Sequence, residues 1–187
     1  MRRYFLMPTC LLLMNILRLP GYALITSDMT EGQMYEVISA ETNVNWSDVS
    51  VLSPDGSRTG FAVVSFSAAS GYESVVGLLV SNGVMDDYVI QADEISPLDH
   101  ALGSGSRACV DLIASARADW VNRSTALGSP LSQSISMNRA DIADTLLAHG
   151  ANPNELLHFG MSMLSYVGTN REMYELLLSY GAEYGPN

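Results

Sequence analysis

The chain of 187 residues contains no lysine; its nine basic side chains are all arginine, set against twenty Asp and Glu. It contains two cysteines, and it has neither a G-x-S-x-G nor an H-E-x-x-H signature. No apolar stretch reaches the ~18 residues that a membrane-spanning helix needs. Each absence excludes something. An acidic surface without lysine repels phosphate backbones, which sets nucleic acid aside as a partner. Two cysteines, of which only Cys109 lies outside the first 23 residues, give neither an internal disulfide in the remaining chain nor a cysteine-built zinc site. Without staples, the fold must rest on an apolar core. A chain of this length, about half hydrophobic and a sixth charged, can build one as a single domain.

The first residues form a unit of their own. "MRRYFLMPTCLLLMNILRLPGYA" has a basic start at Arg2 and Arg3, an apolar run from Tyr4 to Leu17, and a small-residue exit ending at Ala23. That is the layout of a secretory signal peptide over residues 1–23, with export to the periplasm or the cell exterior. The competing readings are a membrane anchor and a plain N-terminal helix. Removal of this segment takes three arginines and no acid, so six arginines against twenty carboxylates leave a net charge of −14. Such a charge suits solubility or a basic protein partner, and no stable membrane insertion of the mature chain is expected.

What is present is a repeated spacing. In "GYESVVGLLVSNG", "GSRACVDLIASARAD", "NRADIADTLLAHGAN" and "TNREMYELLLSYGAE", apolar residues recur three and four apart, and all but the second close at or near a glycine. This is one face of a helix followed by a left-handed cap. Upstream lie "SPLDHA" (96–101), "SPLSQS" (129–134) and "SMLSYV" (162–167), 33 residues apart. Serine at the cap and proline in the first helical turn open a first helix.

A period of 33 with T-P-L-H-x-A opening the first of two helices resembles the ankyrin-repeat family. The resemblance covers residues 57–187 as repeats 57–89, 91–123, 124–156 and 157–187. It implies an all-α solenoid of helix-turn-helix units with short inter-repeat loops. "LLAHGANPN" (146–154) is close to the family's exit. Departures from the pattern are Arg117 in place of the exit glycine and "AVVSFSAASGY" in place of the first T-P-L-H stretch. The fourth repeat lacks two residues between its helices, which predicts a shortened helix or turn. Residues 24–56 form an N-terminal segment in which "EGQMYEVISAETNVNW" resembles a partial capping repeat. "VLSPDGSRTG" (51–60) reads as a turn-rich connection. The expected core is Val75, Leu79, Val110, Ile113, Ile142, Leu146, Leu176 and Leu177, buried by stacking.

Candidate chemistry is sparse. Gly103-x-Gly105-x-x-Ala108 imitates a dinucleotide fingerprint but follows a helix instead of a strand. His100, His149 and His158 occupy separate places in the repeat. Asp99 stands where the family has its histidine, and a short polar side chain there can bond the backbone. Asp86-Asp87 and Asp93-Glu94 could hold a cation, but without a glycine-containing calcium loop they read as a solvated acidic stretch. Cys109 reads as a buried small hydrophobe. Asn45-Trp46-Ser47 and Asn122-Arg123-Ser124 are glycosylation sequons. No catalytic, cofactor or metal site is expected, and an enzyme is the remote alternative.

Ankyrin proteins are generally non-catalytic binders that use loop tips and the first-helix face. By position, the resemblance assigns partner contact to Asp93, Glu94 and Ile95; to Arg123, Thr125 and Ala126, with Ser136 and Met137; and to His158, Phe159 and Met161. Trp120 and Tyr88 read either as aromatic anchors at the rim or as covers of the stack edge. The expected function is capture of a protein partner. The alternative is an acidic immunity or protective protein that neutralises a toxin or stabilises an exported enzyme.

Overall fold

The computed structural model describes residues 25–41, 44–46, 49–86, 88, 90, 95–157 and 160–185. The signal-peptide reading of residues 1–23 therefore lies outside the described residues. The described chain is mostly helical and carries one small sheet. Its elements are α1 (Glu31–Ala40), β1 (Ser50–Leu52), β2 (Arg58–Ala62), α2 (Val63–Ser70) and α3 (Glu73–Ser81). These are followed by α4 (Pro97–Ser104), α5 (Arg107–Ala116), α6 (Ala118–Val121), α7 (Pro130–Ser136), α8 (Ala140–Ala148), α9 (Met163–Val167) and α10 (Arg171–Ser179).

The helices start where local chemistry directs. Ser96, Ser129 and Ser162 cap α4, α7 and α9 with nearly one backbone geometry, φ −76, −74 and −70° and ψ 159, 159 and 153°. Each hydroxyl accepts from the backbone N–H three residues on, at 3.1, 3.2 and 3.3 Å. Pro97 and Pro130 then occupy the first turn, where a missing N–H is harmless. Asp99 completes a capping box: its carboxylate accepts from the Ser96 N–H at 3.0 Å and from the Ser96 hydroxyl at 2.6 Å. Thr30 and Gln33 form the same box at α1. Ala62 precedes α2 and supplies no side-chain cap.

Helices pair, and the pairs pack in order. α2 lies against α3, α4 against α5, α7 against α8, and α9 against α10; α2 then packs on α4 and α4 on α7, while α1, α3, α5, α8 and α10 contact one another in succession. The third and seventh residues of each second helix are fully buried: Val75 and Leu79, Cys109 and Ile113, Ile142 and Leu146, Met173 and Leu177. Burial of one such side chain contributes roughly 1.5–3 kcal/mol. Leu176, expected in this core, is only half-buried: it is the sixth residue of α10, the place held by the half-buried Leu78 in α3 and Leu112 in α5. In α1 the buried pair is Met34 and Ile38, one residue out of step.

Three exits close alike. The N–H groups of Val84, Ala151 and Ala182 donate to the carbonyls of Leu79, Leu146 and Leu177, at 3.1, 2.9 and 3.0 Å. The turn needs a left-handed residue, and Gly83, Gly150 and Gly181 supply it at φ 71, 87 and 82°. Arg117 stands at that place in the second pair with φ −135°, and the chain continues instead into the short helix α6. The helix α9, five residues long, carries the shortening that the two missing residues predict.

The chain is not all-α. Residues 51–60 are more than a connection: β1 and β2 pair antiparallel with an irregular register, and Thr26 adds a parallel bridge to Leu52. Pro54-Asp55-Gly56 closes the hairpin, where the Gly56 N–H donates to the Ser53 carbonyl at 2.8 Å. The Asp55 carboxylate accepts from the Ser57 N–H at 2.9 Å, which holds its pKa below the usual carboxylate range.

Neighbouring exits are tied by asparagine. Asn122 donates to the Gly150 carbonyl at 2.9 Å and accepts from the Asn152 N–H at 2.8 Å. Asn154 repeats the pattern with the Gly181 carbonyl at 3.0 Å and the Glu183 N–H at 2.7 Å. The sequon asparagine Asn122 is therefore engaged in the fold. Asn122→Ala is expected to lose about 1–2 kcal/mol, as two solvent-accessible bonds are each worth roughly 0.5–1.5. A urea-melting loss below about 0.3 kcal/mol would show that the tie is idle.

Candidate interaction surface

The residues assigned to partner contact fall into three groups. Asp93, Glu94, His158 and Phe159 lie outside the described residues. Ile95, Ala126, Ser136, Met137 and Met161 are exposed. Tyr88, Trp120, Arg123 and Thr125 are wholly or partly drawn into the fold.

Trp120 is a correction to the rim-anchor reading: it is 2% exposed. The reason lies in Arg117, whose guanidinium carbon sits 4.1 Å from the indole centroid. Arg117 also donates to the carbonyls of Met85 at 3.0 Å and Tyr88 at 2.7 Å. A bidentate pair with Asp119, at 2.8 and 2.7 Å, fixes the guanidinium; that hydrogen bonding pushes the arginine's pKa up and holds the Asp119 carboxyl below its usual range. The arginine that replaces an exit glycine thus clamps the second exit to the first. Tyr88 meets Trp120 edge-on at 5.9 Å, and its hydroxyl bonds Ser65 at 3.1 Å. It too serves packing before contact.

Thr125 shapes the third loop tip. It pairs with Gly128 through backbone bonds of 3.1 and 3.0 Å, and its hydroxyl accepts from the Leu127 N–H at 3.1 Å. This tight turn presents Ala126 and throws Leu127 outward, 59% exposed. Leu127, Phe61 and Tyr166 are exposed apolar residues that sequence position did not assign. Phe61, Ile95 and Met161 each stand immediately before a first-helix cap, at Ala62, Ser96 and Ser162, and Leu127 stands two before Ser129. An apolar residue just ahead of each cap was a readable signal.

The polar groups close by are already used. Asp99 accepts a further bond from Gln133 Nε2 at 2.9 Å, linking α4 to α7. His100 packs edge-on against Phe61 at 5.4 Å; burial lowers its pKa, against a smaller upward pull from Asp99. Its place beside the cap carboxylate is structural. His149 Nε2 lies 2.7 Å from Asp111 Oδ1 on the second-helix row. Cys109 is buried, and burial pushes its thiol pKa up. Gly105 ends α4 in the left-handed region and lies between two helices, where the dinucleotide fingerprint would follow a strand.

Among the described residues no group of three or more His, Cys, Asp or Glu could hold a metal ion, and no helix is long and apolar enough to cross a membrane. A cavity of about 340 Å³ lies between the exits of α1 and α3, lined by Glu41, Asn45, Trp46 and Asn82 among others. Comparison with family models and with curated proteins gives no match to the chain.

Proposed function

We propose that residues 57–187 are ankyrin-type repeats preceded by a partial capping repeat, and that the protein is exported and captures a protein partner without catalysis. The observation that carries this reading is the trio Ser96, Ser129 and Ser162. They are spaced by 33 residues and cap three first helices in nearly one geometry, with each helix leading into a second that buries its third and seventh residues. The family resemblance then supplies the role, since such repeats present loops and a first-helix face to other proteins. The leader over residues 1–23 supplies the location.

The exposed tips form the proposed surface: Ile95, Ala126 and Met161, with Ser136 and Met137 on and beside α7. Affinity capture of the chain from its own cell envelope, read by mass spectrometry, is expected to recover one partner in stoichiometric amount. The triple variant Ile95→Ala, Leu127→Ala, Met161→Ala is expected to weaken capture about tenfold or more, as loss of apolar anchors does. Undiminished capture by the triple variant would remove the tips from the site, and no stoichiometric partner would remove the function. Trp120 has no place in this test, because its loss disturbs the fold itself.

A further inference from the structure

The two ends of the helix stack are finished differently. In a helix, the first, fourth, fifth and eighth residues share one face. In α5 that face turns to α8. Arg107, the first residue, donates from Nε to the Thr145 hydroxyl at 2.9 Å and lies 3.6 Å from Asp144. Asp111, the fifth, lies 2.7 Å from His149 Nε2. In α8 the fifth residue, Asp144, accepts from the Tyr180 hydroxyl, just past α10, at 3.0 Å. In α3 the fifth residue is Gly77, where a Cβ would touch Leu112 of α5 at 3.7 Å. This face therefore points from each second helix to the next. Its fourth and eighth residues are buried in α5 as Val110 and Ala114, and in α8 as Ala143 and Leu147.

α10 carries the same face, and no helix follows it among the described residues. Arg171 and Glu175 stand first and fifth, as Arg107 and Asp111 do in α5, but they pair with each other at 2.6 Å and both are exposed. Tyr174 and Leu178 stand fourth and eighth; Tyr174 is half-buried and Leu178 is 45% exposed. The Tyr184 hydroxyl bonds that of Tyr174 at 3.1 Å, which brings a further exposed ring to the same place. α9 is open in the same direction. Asp99, three residues after its cap, is buried and accepts from Gln133 of the following first helix, and Ser132 at the matching place is buried as well. Ser165, three after its own cap, is exposed, and so is Tyr166 beside it. Of the eleven large apolar side chains exposed among the described residues, six lie between Leu156 and Tyr184, so the excess belongs to this last unit. A unit that ends a stack ordinarily turns a polar face outward.

The other end is closed. α1 packs on α3 and buries Met34 and Ile38, its own fourth and eighth residues. Its third and seventh places, which hold the fully buried Val75 and Leu79 in α3, carry Gln33 and the half-buried Val37. Gln33 is spent on the capping box, where its Oε1 accepts from the Thr30 N–H at 2.9 Å. α1 thus offers α10 of another copy no apolar socket of the kind the inner helices have, and head-to-tail addition is set aside. The open end, by contrast, suits itself. It has an apolar centre and one charge of each sign at matching places, so Arg171 of one copy can meet Glu175 of another and the reverse. We infer that the α9–α10 end is a self-association surface: a second copy of this chain seats its own α9–α10 end there about a two-fold axis. Tyr174 and Leu178 lie at the centre, with Arg171 and Glu175 exchanged across it. In such a contact the same patch serves both copies. The surface is separate from the loop tips and does not depend on partner capture.

The experiment measures the mass of the full chain by light scattering across a dilution series. The wild type is expected to have the mass of two chains and to fall to one on dilution, where Leu178 is a surface residue again. Leu178→Glu is expected to raise the dissociation constant about tenfold or more, as loss of a central apolar anchor does. Arg171→Glu alone and Glu175→Arg alone each set like charges across the axis, and each is expected to weaken association by a similar factor. Mixed in equal amounts, these two variants present opposite charges to each other and are expected to regain the mass of two chains. Circular dichroism and a melt confirm that each variant stays folded, and recovery on mixing cannot come from a folding defect. A wild type that stays a single chain at every concentration overturns the inference. Association that Leu178→Glu leaves unchanged overturns it too, since another part of the chain then makes the contact. Charge variants that stay apart when mixed, or masses that climb past two chains, overturn the two-fold arrangement.

Discussion

Trp120→Ala is expected to destabilise the protein by about 3–5 kcal/mol, the range for deleting a buried large aromatic side chain. The indole is almost fully enclosed, so the substitution removes transfer energy and leaves a cavity. It also removes two partners with directional character: the Tyr88 ring at 5.9 Å and the Arg117 guanidinium at 4.1 Å. Aromatic pairs contribute about 0.5–1.5 kcal/mol beyond burial, and desolvated cation–π contacts reach about 2. Arg117 itself stays tethered to Asp119 and to the carbonyls of Met85 and Tyr88. It therefore cannot move into the void, and the cavity persists. Urea melts of wild type and variant measure the loss through the midpoint, with the slope as a check on two-state behaviour. A loss below about 1 kcal/mol would return Trp120 to the rim as a contact residue. An Arg117→Gly variant separates the clamp from the indole. The backbone there has φ −135°, so glycine gains nothing from left-handed freedom, and the expected change is a loss.

What the sequence made legible was local. Ser96-Pro97 and Ser129-Pro130 announce helix starts through groups within three residues of each other, and the structure places the caps there. The buried faces of α3, α5 and α8 follow from apolar spacing, which a helix converts directly into one side. Asp99 was expected to bond backbone, and it does so through the Ser96 N–H. What escaped depended on distant partners. Whether Trp120 is buried is decided by Tyr88 and by an arginine bonded to Met85 and Tyr88, about thirty residues earlier. The hairpin escaped because strands of three and five residues are too short for alternation to declare itself, and only its turn was visible. Leu127 escaped because site residues were carried over by family position, whereas its exposure comes from the Thr125–Gly128 turn. Phe61, Leu127 and Tyr166 are thus exposed although family position did not assign them, while Trp120 is buried and Tyr88 half-buried.

Leu146→Ala tests the stacking itself. Leu146 is fully buried at the seventh position of α8, the place held by Leu79, Ile113 and Leu177 in the other second helices. α8 packs against α5, α10 and α7, so this buried side chain lies in a helix with three packed neighbours. Its backbone is engaged as well, since the Leu146 carbonyl accepts from the Ala151 N–H that closes the exit. That bond keeps the helix end in place and limits collapse into the space left by the missing methyls. The expected loss is about 2–5 kcal/mol, toward the upper end if relaxation is small. Because α8 packs against both α5 and α10, a defect in it is expected to weaken two helix interfaces together. The internal control is a leucine pair in α10: Leu177 is fully buried, and Leu178 is 45% exposed. Leu177→Ala is expected to behave like Leu146→Ala, and Leu178→Ala to stay within about 0.5 kcal/mol of wild type, as surface substitutions do. Equal losses at Leu177 and Leu178 would break the third-and-seventh rule of burial on which the stacked arrangement depends. Hydrogen exchange gives a second reading of the same variant: loss of Leu146 should deprotect amides of α5 and α10 along with those of α8, whereas a purely local cavity would leave the neighbours protected.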